Sequence, residues 1–403
     1  MTNAHNGLEI RPLPEDEFNS WVRTSMRGFG AHSSPASERH FRGLIEPDRA
    51  IAAYVDGGLV GTATAGSFDL TIPGGELPMP LVGAVAVQPT HQRRGVLSAM
   101  MANQMADFRE RGEIVAGLSA SESLIYARFG YGIATWSEDW TMPRVHADLS
   151  DAPTNSGRLR FVDPEDVGEV WPSIYEQVRP HRVGLVRFPE KWWPTFATDL
   201  ETWRQGASAF FHVVYEGESG SEGFVTYRIR DNSQVLVIML LGATPEAEVA
   251  LWRFCFGVDL MDSMFAPNRP ADDQLPWMLK DPRRLERSVR DHLWLRLVDV
   301  RAALSARSYA SGCSVVLEVH DSFCPWNEGR YVLETGPDGA ACRPTTRSPD
   351  LELSVSELAS AYLGGTTLAT LQDAGRVEEH RSGAIREFDR GLATERQPWM
   401  IEF

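Results

Sequence analysis

Residues 81–105 read LVGAVAVQPTHQRRGVLSAMMANQM, and the order of chemistries in this stretch decides the fold. Leu81 to Val87 is a strand-length run of small and branched apolar residues without a polar one, which predicts a central strand buried on both faces. Pro89 ends its hydrogen-bonding ladder. A loop with Arg93, Arg94 and Gly95 follows, after which Val96, Leu97, Met100, Met101 and Met105 recur at helical spacing. The predicted order is strand, basic glycine loop, helix.

The first turn of a helix presents unpaired backbone N–H groups and the positive end of the helix dipole, so it attracts phosphate. Gly95 allows close backbone approach, and Arg93 and Arg94 add charge. Such a loop either holds a pyrophosphate or carries two solvated arginines. It has neither the GxxxxGK[ST] of a P-loop nor the GxGxxG of a Rossmann turn.

As a unit, VxVxPxxQRRG followed by a helix resembles the acyl-CoA signature of the GNAT acetyltransferases. The resemblance implies that loop N–H groups hold the CoA pyrophosphate and that the preceding strand pairs with pantetheine amides. It assigns acetyl-CoA contacts to Val85, Ala86, Val87, Arg93, Arg94, Gly95, Val96, Leu97 and Ser98. The family often has a small residue after the last loop glycine; Val96 and Leu97 stand there in this chain, a change that backbone binding tolerates.

Composition bounds the remainder. A chain of 403 residues with 43% hydrophobic content supports two to three domains with real cores. The four cysteines, Cys255, Cys313, Cys324 and Cys342, form no CxxC pair, so they read as buried or free thiols rather than a zinc site or a disulfide framework. No leader and no run of 18 apolar residues is present, which predicts a soluble, cytoplasmic protein without a membrane span. A net charge of −16 argues against general nucleic-acid binding; it either suits cationic partners or serves solubility.

In chain order, LEIRPL reads as a strand, and Phe18, Trp21, Val22 and Met26 share one face of a helix closed by Gly28 and Gly30. Asp56, Gly57 and Gly58 turn a hairpin. The segment from Glu113 is the next strand, and ESLIYARFGYG is a short helix. Tyr126 lies one turn beyond Glu122 on the same face. It is either a core residue or, where two parallel strands splay to admit a cofactor arm, a general acid for the departing CoA thiolate, whose ordinary pKa is about 8.5. YARFGYG resembles the second GNAT motif, which carries such a tyrosine.

The second third repeats the first: a strand and helix from Leu159, a hairpin from Ala209, and a strand and helix from Val235. Where the first copy has Gln92, Arg93, Arg94 and Gly95, the second has Pro245, Glu246, Ala247 and Glu248, and two carboxylates repel a pyrophosphate. Pro143, Pro153, Asn155 and Gly157 mark the boundary between copies. After Pro282, the order of elements is similar to the sterol carrier protein fold, as a lipid pocket or as a structural domain. The predicted architecture is α/β (α+β): GNAT-like mixed-sheet domains over 1–150 and 151–285, the second without a CoA motif, and a sterol-carrier-like domain over 286–403.

The tail ends in Pro398, Trp399, Met400, Ile401 and Phe403, which predicts a buried terminus, since exposing such groups forgoes roughly 1.5 to 3 kcal/mol each. Taken together, the two GNAT-like copies, the sterol-carrier-like domain and the terminal phenylalanine resemble the Eis (enhanced intracellular survival) acetyltransferases along the whole chain. That resemblance implies direct transfer from acetyl-CoA, with the Phe403 carboxylate as general base, Tyr126 as general acid, and Ser121 and Glu122 as further acetyl-CoA contacts. It also implies a homohexamer that acetylates amines of aminoglycosides, often at several positions, and lysine side chains. The resemblance implies carboxylates around the amine where aminoglycosides are accepted; Glu402 is a candidate for one, whereas Thr24, Ser25, Met26 and Arg27 offer none, a departure that bears on the substrate. Two alternatives stay open: a protein lysine or N-terminal acetyltransferase, and a non-catalytic lipid or acyl-CoA binding protein.

Overall fold

The computed structural model describes residues 7–149, 152, 157–336 and 339–402. Pro153, Asn155 and Phe403, singled out above, lie outside the described residues. The first third contains β1 (Leu8–Pro12), α1 (Phe18–Gly28), α2 (Pro35–Leu44), β2 (Ile51–Val55), β3 (Gly58–Ile72), β4 (Gly75–Val87), α3 (Val96–Glu110), β5 (Val115–Ser119), α4 (Ser123–Tyr126), β6 (Gly132–Ile133) and β7 (Trp136–Pro143). The second contains β8 (Arg158–Val162), α5 (Val167–Val178), β9 (Val186–Arg187), β10 (Phe211–Gly217), β11 (Gly220–Arg230), β12 (Gln234–Gly242), α6 (Pro245–Gly257), β13 (Ser263–Pro270), α7 (Leu275–Met278) and β14 (Glu286–Asp291). The last contains β15 (Leu293–Leu297), α8 (Val300–Ala306), β16 (Ser314–His320), β17 (Gly329–Gly336), β18 (Gly339–Pro344), β19 (Leu351–Ser354), α9 (Val355–Ala361), α10 (Leu368–Asp373), β20 (Val377–Glu379) and α11 (Ala384–Leu392).

These elements form two compact units, Met1–Ala134 with Leu293–Thr394, and Thr135–His292 with Glu395–Phe403. The units cut across the chain-order division at 150 and 285, because β7 pairs with β13 and β14 in the second unit while β15 pairs with β5 and β6 in the first. The first unit holds a mixed sheet in the order β1-β2-β3-β4-β5-β15-β6 and a smaller sheet in the order β18-β17-β16-β19-β20. The second unit's sheet runs β14-β7-β13-β12-β11-β10-β8. Strands β4 and β5 run parallel, and so do β12 and β13. The repeated order of elements is thus a repeated mixed sheet with helices.

Periodicity explains the core of the first unit. The helical stripe of α1 buries Phe18, Trp21 and Val22 against Ala50, Ala52 and Tyr54. On α3, Met101, Met105 and Phe108 pack against Ala65, Val82, Ala116 and Leu118, and Val96 and Met100 against Ala53 and Val60. The hairpin forms where two central residues accept positive φ, Asp56 at 51° and Gly57 at 77°. In the smaller sheet's domain, Ser354 caps α9 by accepting from the N–H of Ser356.

The expectation that Leu81 to Val87 is buried on both faces is corrected by the structure. Val82 and Ala86 are buried, whereas Leu81, Gly83, Ala84, Val85 and Val87 are only partly so. The strand is central at its start but lines an open cleft at its end, and an apolar run looks the same in either setting.

The tail is buried in the second unit, as its composition predicts. Trp399, Met400 and Ile401 are 3%, 2% and 4% exposed. The Trp399 backbone N–H donates to the Val183 carbonyl at 2.9 Å, its indole N–H to the Asn268 carbonyl at 3.1 Å, and the Asn268 amide to the Met400 carbonyl at 3.2 Å.

Candidate active site

The site of interest begins where two parallel strands part. The β4–β5 ladder joins Leu81 to Gly117 and Val82 to Leu118, while β4 continues to Val87 and β5 ends at Ser119. On its other edge β4 is paired to β3, with a register shift: Thr62 faces Ala86 and Thr64 faces Gly83, so β4 carries an extra residue. Ala84 sits in that bulge at φ 50°. The bulge falls where the strands separate.

The gap opens into a cavity of about 670 Å³, within the range of pockets that enclose a small ligand. Val85, Ala86 and Val87 of β4 form one wall, and Arg93, Gly95, Val96, Leu97 and Ser98 form the end at the helix. Arg94 stands exposed on the same loop, outside that lining. Ser121, Glu122 and Tyr126, just after β5, form the opposite side. The structure therefore gathers most of the residues that the sequence selects around a single cavity.

Local geometry leaves the donors of the loop and of the helix start open. Arg93 at φ 60° and Gly95 at φ 80° both occupy the left-handed region, which turns the chain sharply into α3. Gly95 is the N-cap of α3, so no side chain caps the first N–H groups, and no acidic residue lies in the first turn. The positive end of a 15-residue helix is left available to an anion. An acyl-CoA pyrophosphate fits this donor set.

The corresponding helix in the second unit is closed to an anion. The Thr244 side chain accepts from the N–H of Ala247 at 3.2 Å, and Pro245, Glu246 and Glu248 occupy the first turn. The side-chain cap and the Glu246 carboxylate satisfy the donors and the dipole from within, while burial raises the pKa of Glu248.

Tyr126 is 7% exposed, and its ring meets that of Tyr131 edge-on at 5.9 Å between centroids. Burial, and secondarily the Glu122 carboxylate, push its phenol pKa above the ordinary value of 10. It is therefore held protonated, as a proton donor must be. The thiols offer no competing chemistry: all four cysteines are free and buried, and burial raises each above its ordinary value, Cys255 and Cys342 to about 12.

The cavity has lining residues that sequence reasoning missed. Gly28 and Phe29 contribute the end of α1, and Arg128 adds a cation after Tyr126. Gly28 had a signal as a helix terminator, but its use is different. A Cβ there would stand 2.6 Å from the Ala86 Cβ, so the glycine lets α1 press against β4. Arg128 lay within the YARFGYG motif, where a basic residue two past the tyrosine was readable. Glu402 belongs to the second unit, is exposed, and pairs with Arg290 at 3.0 Å.

The comparisons with known proteins agree with this geometry. Residues 9–134 and 184–301 match acetyltransferase (GNAT) domain families, and 300–401 match the sterol carrier protein domain. The chain is an N-acetyltransferase with two GNAT domains and a sterol-carrier-like domain, an acetyl-transferring enzyme. An uncharacterized N-acetyltransferase of Streptomyces avermitilis is 40% identical over 402 residues, spanning 97% of this chain and 98% of that one. N-acetyltransferase Eis of Mycobacterium tuberculosis is 33% identical over 397 residues, spanning 94% and 96%. The crystal structure of Eis1 from Mycobacterium abscessus superimposes with a TM-score of 0.84 at 35% identity, covering 98% of this chain and 99% of that one. The chain belongs to the Eis family of GNAT N-acetyltransferases. Its GNAT domains point to acetyl-CoA as the acetyl donor. Among the described residues, no helix is long and apolar enough to cross a membrane.

Proposed function

We propose that the enzyme transfers acetyl from acetyl-CoA directly to primary amines of a cationic small molecule such as an aminoglycoside, at more than one position. The observation that carries this reading is the single cavity lined by Val85, Val87, Arg93, Gly95 and Tyr126. In it, the N–H groups of the loop and of Val96, Leu97 and Ser98 hold the pyrophosphate, with Arg93 and Arg94 adding charge. The free edge of β4 at Val85, Ala86 and Val87 pairs with the pantetheine amides and polarises the thioester carbonyl. Ser121 and Glu122 border the cofactor arm.

In the proposed reaction, the α-carboxylate of Phe403 takes a proton from the ammonium, directly or through water, and the free amine attacks the thioester carbon. The tetrahedral intermediate collapses as the C–S bond breaks, and Tyr126 gives its proton to the sulfur. The position of Tyr126 in the cavity lining supports this role, and its hydroxyl is protonated at neutral pH. Glu402 draws the cationic amine, as does the net charge of −16. The high pKa values of the buried thiols favour direct transfer over an acetyl-cysteine intermediate. A homo-oligomer, a hexamer by resemblance to the family, and a cytoplasmic setting complete the proposal.

The test is thiol release from acetyl-CoA by the purified full-length enzyme with aminoglycosides, polyamines and lysine peptides. Turnover with aminoglycosides, giving multiply acetylated product by mass spectrometry, is expected. Turnover confined to the peptides would move the assignment to a protein acetyltransferase. A residue appended after Phe403 should abolish turnover while acetyl-CoA still binds; unchanged turnover removes the proposed base.

A further inference from the structure

The smaller sheet of the first unit carries a cluster that acetyl transfer does not use. Its registers set four residues in one row across adjacent strands: Arg330 opposite Glu318, Glu318 opposite Glu352, and Glu352 opposite Glu378. Arg330 pairs with Glu318 at 3.1 Å and balances the first carboxylate. Glu352 and Glu378 remain side by side with like charge, an arrangement that destabilises a sheet unless a cation lies between them.

Two imidazoles reach the two oxygens of Glu352. His380, directly after β20, has its Nε2 3.2 Å from one Glu352 oxygen. His320, the last residue of β16, has its Nε2 2.9 Å from the other. Ligand atoms of Glu352, Glu378 and His380 all lie within 4.8 Å of one another. The Nδ1 of His320 stands 3.0 Å from a Glu328 oxygen, and the second Glu328 oxygen accepts the Asp321 backbone N–H at 2.6 Å. Glu328 is thereby fixed as the partner that orients an imidazole whose Nε2 faces the carboxylates.

We propose that Glu352, Glu378 and His380 bind a divalent transition-metal ion, Zn²⁺ by its chemistry, with His320 holding the second oxygen of Glu352 from outside the cluster. Mixed imidazole and carboxylate donors suit zinc, whereas calcium and magnesium take oxygen donors. Zinc holds such atoms at about 2.0–2.2 Å, and the three ligand atoms lie within 4.8 Å of one another. The donors come from neighbouring strands, which fix their spacing better than loops do. A bound cation would cancel the repulsion between Glu352 and Glu378 and tie β20 to β19.

The experiment uses full-length protein stripped with EDTA and titrated with ZnCl₂ by calorimetry, with the thermal midpoint followed in parallel. A single saturable equivalent per chain and a raised midpoint are expected. Glu378→Gln and His380→Ala should each weaken binding at least about tenfold, as loss of a metal-site partner does, and remove the zinc-dependent rise in midpoint. Both substitutions are at exposed positions, and Glu378→Gln preserves shape, so unchanged circular dichroism without zinc will verify the fold. Acetyl transfer measured in EDTA should be the same in both variants. Failure of the wild-type protein to saturate with Zn²⁺, or wild-type affinity retained in either variant, overturns the proposal and leaves a histidine–carboxylate ion-pair cluster.

Discussion

The hydroxyl of Thr62 donates to the backbone carbonyl of Ala84 at 2.8 Å, across the bulge that falls where β4 parts from β5. Thr62 is wholly buried, and Ala84 holds a left-handed φ of 50°. This bond fixes the edge to which the pantetheine arm is assigned. Thr62→Val should raise KM for acetyl-CoA about fivefold with kcat little changed, the size expected from one lost hydrogen bond. Ala84→Gly should stay within about 1 kcal/mol of wild type, whereas Ala84→Val should cost about 2 kcal/mol, because a β-branched residue resists this φ. Steady-state kinetics and urea denaturation measure the two effects.

Tyr126 supplies a different signature. Tyr126→Phe keeps the buried ring but removes the proton, so kcat should fall about a hundredfold while KM for acetyl-CoA changes little. Because burial holds the phenol pKa above 10, wild-type kcat should show no loss from this group as pH rises to 9. A descending limb centred below pH 9 that disappears in Tyr126→Phe would contradict the assigned protonation state.

Acid stability should be set partly by the second unit. His212 and His292 are 2% and 5% exposed, and burial lowers each pKa from 6.5 to about 4. His212 also shares a contact of 3.0 Å with the Thr226 hydroxyl and meets Trp171 edge-on. The unfolded chain binds protons at these side chains more readily than the folded one. Stability is therefore complete above about pH 6.5 and falls towards pH 4, with a slope of up to about 1.4 kcal/mol per pH unit for each histidine. Denaturant midpoints across this window should decline, and His212→Gln should shallow the slope.

Glu113 offers a test of the first unit's framework. Arg49, 7% exposed, makes a bidentate pair with it at 2.6 and 2.7 Å. Glu113→Ala leaves a buried guanidinium without its carboxylate and should cost about 3 kcal/mol. Replacing both partners with apolar residues should recover part of that loss, read as a non-additive double-mutant cycle.

Much of the site was legible because its signals are local. Gly95 and the arginines identify the loop, the spacing of Met100, Met101 and Met105 identifies the helix, and Tyr126 follows from its place after the next strand. The contrast between Arg93, Arg94 and the second copy's Glu246, Glu248 was readable as charge. Gly28, Phe29 and the bulge at Ala84 were not, because each depends on packing between distant segments, and alanine carries no signal for a left-handed conformation. The assumed two-sided burial of Leu81 to Val87 failed for the same reason: hydrophobicity does not say whether a neighbouring strand continues alongside.

The amino-acid order by itself determined β4, the loop at Arg93 to Gly95, α3 and the hairpin at Asp56, because those depend on residues within a turn or two of one another. Only the tertiary structure decided where β4 leaves β5, which side chains face the resulting cavity, and that Glu352 and Glu378 stand opposite each other with His380 beside them. Register and burial are set by contacts between residues far apart in the chain, and those contacts exist only once the sheets have formed.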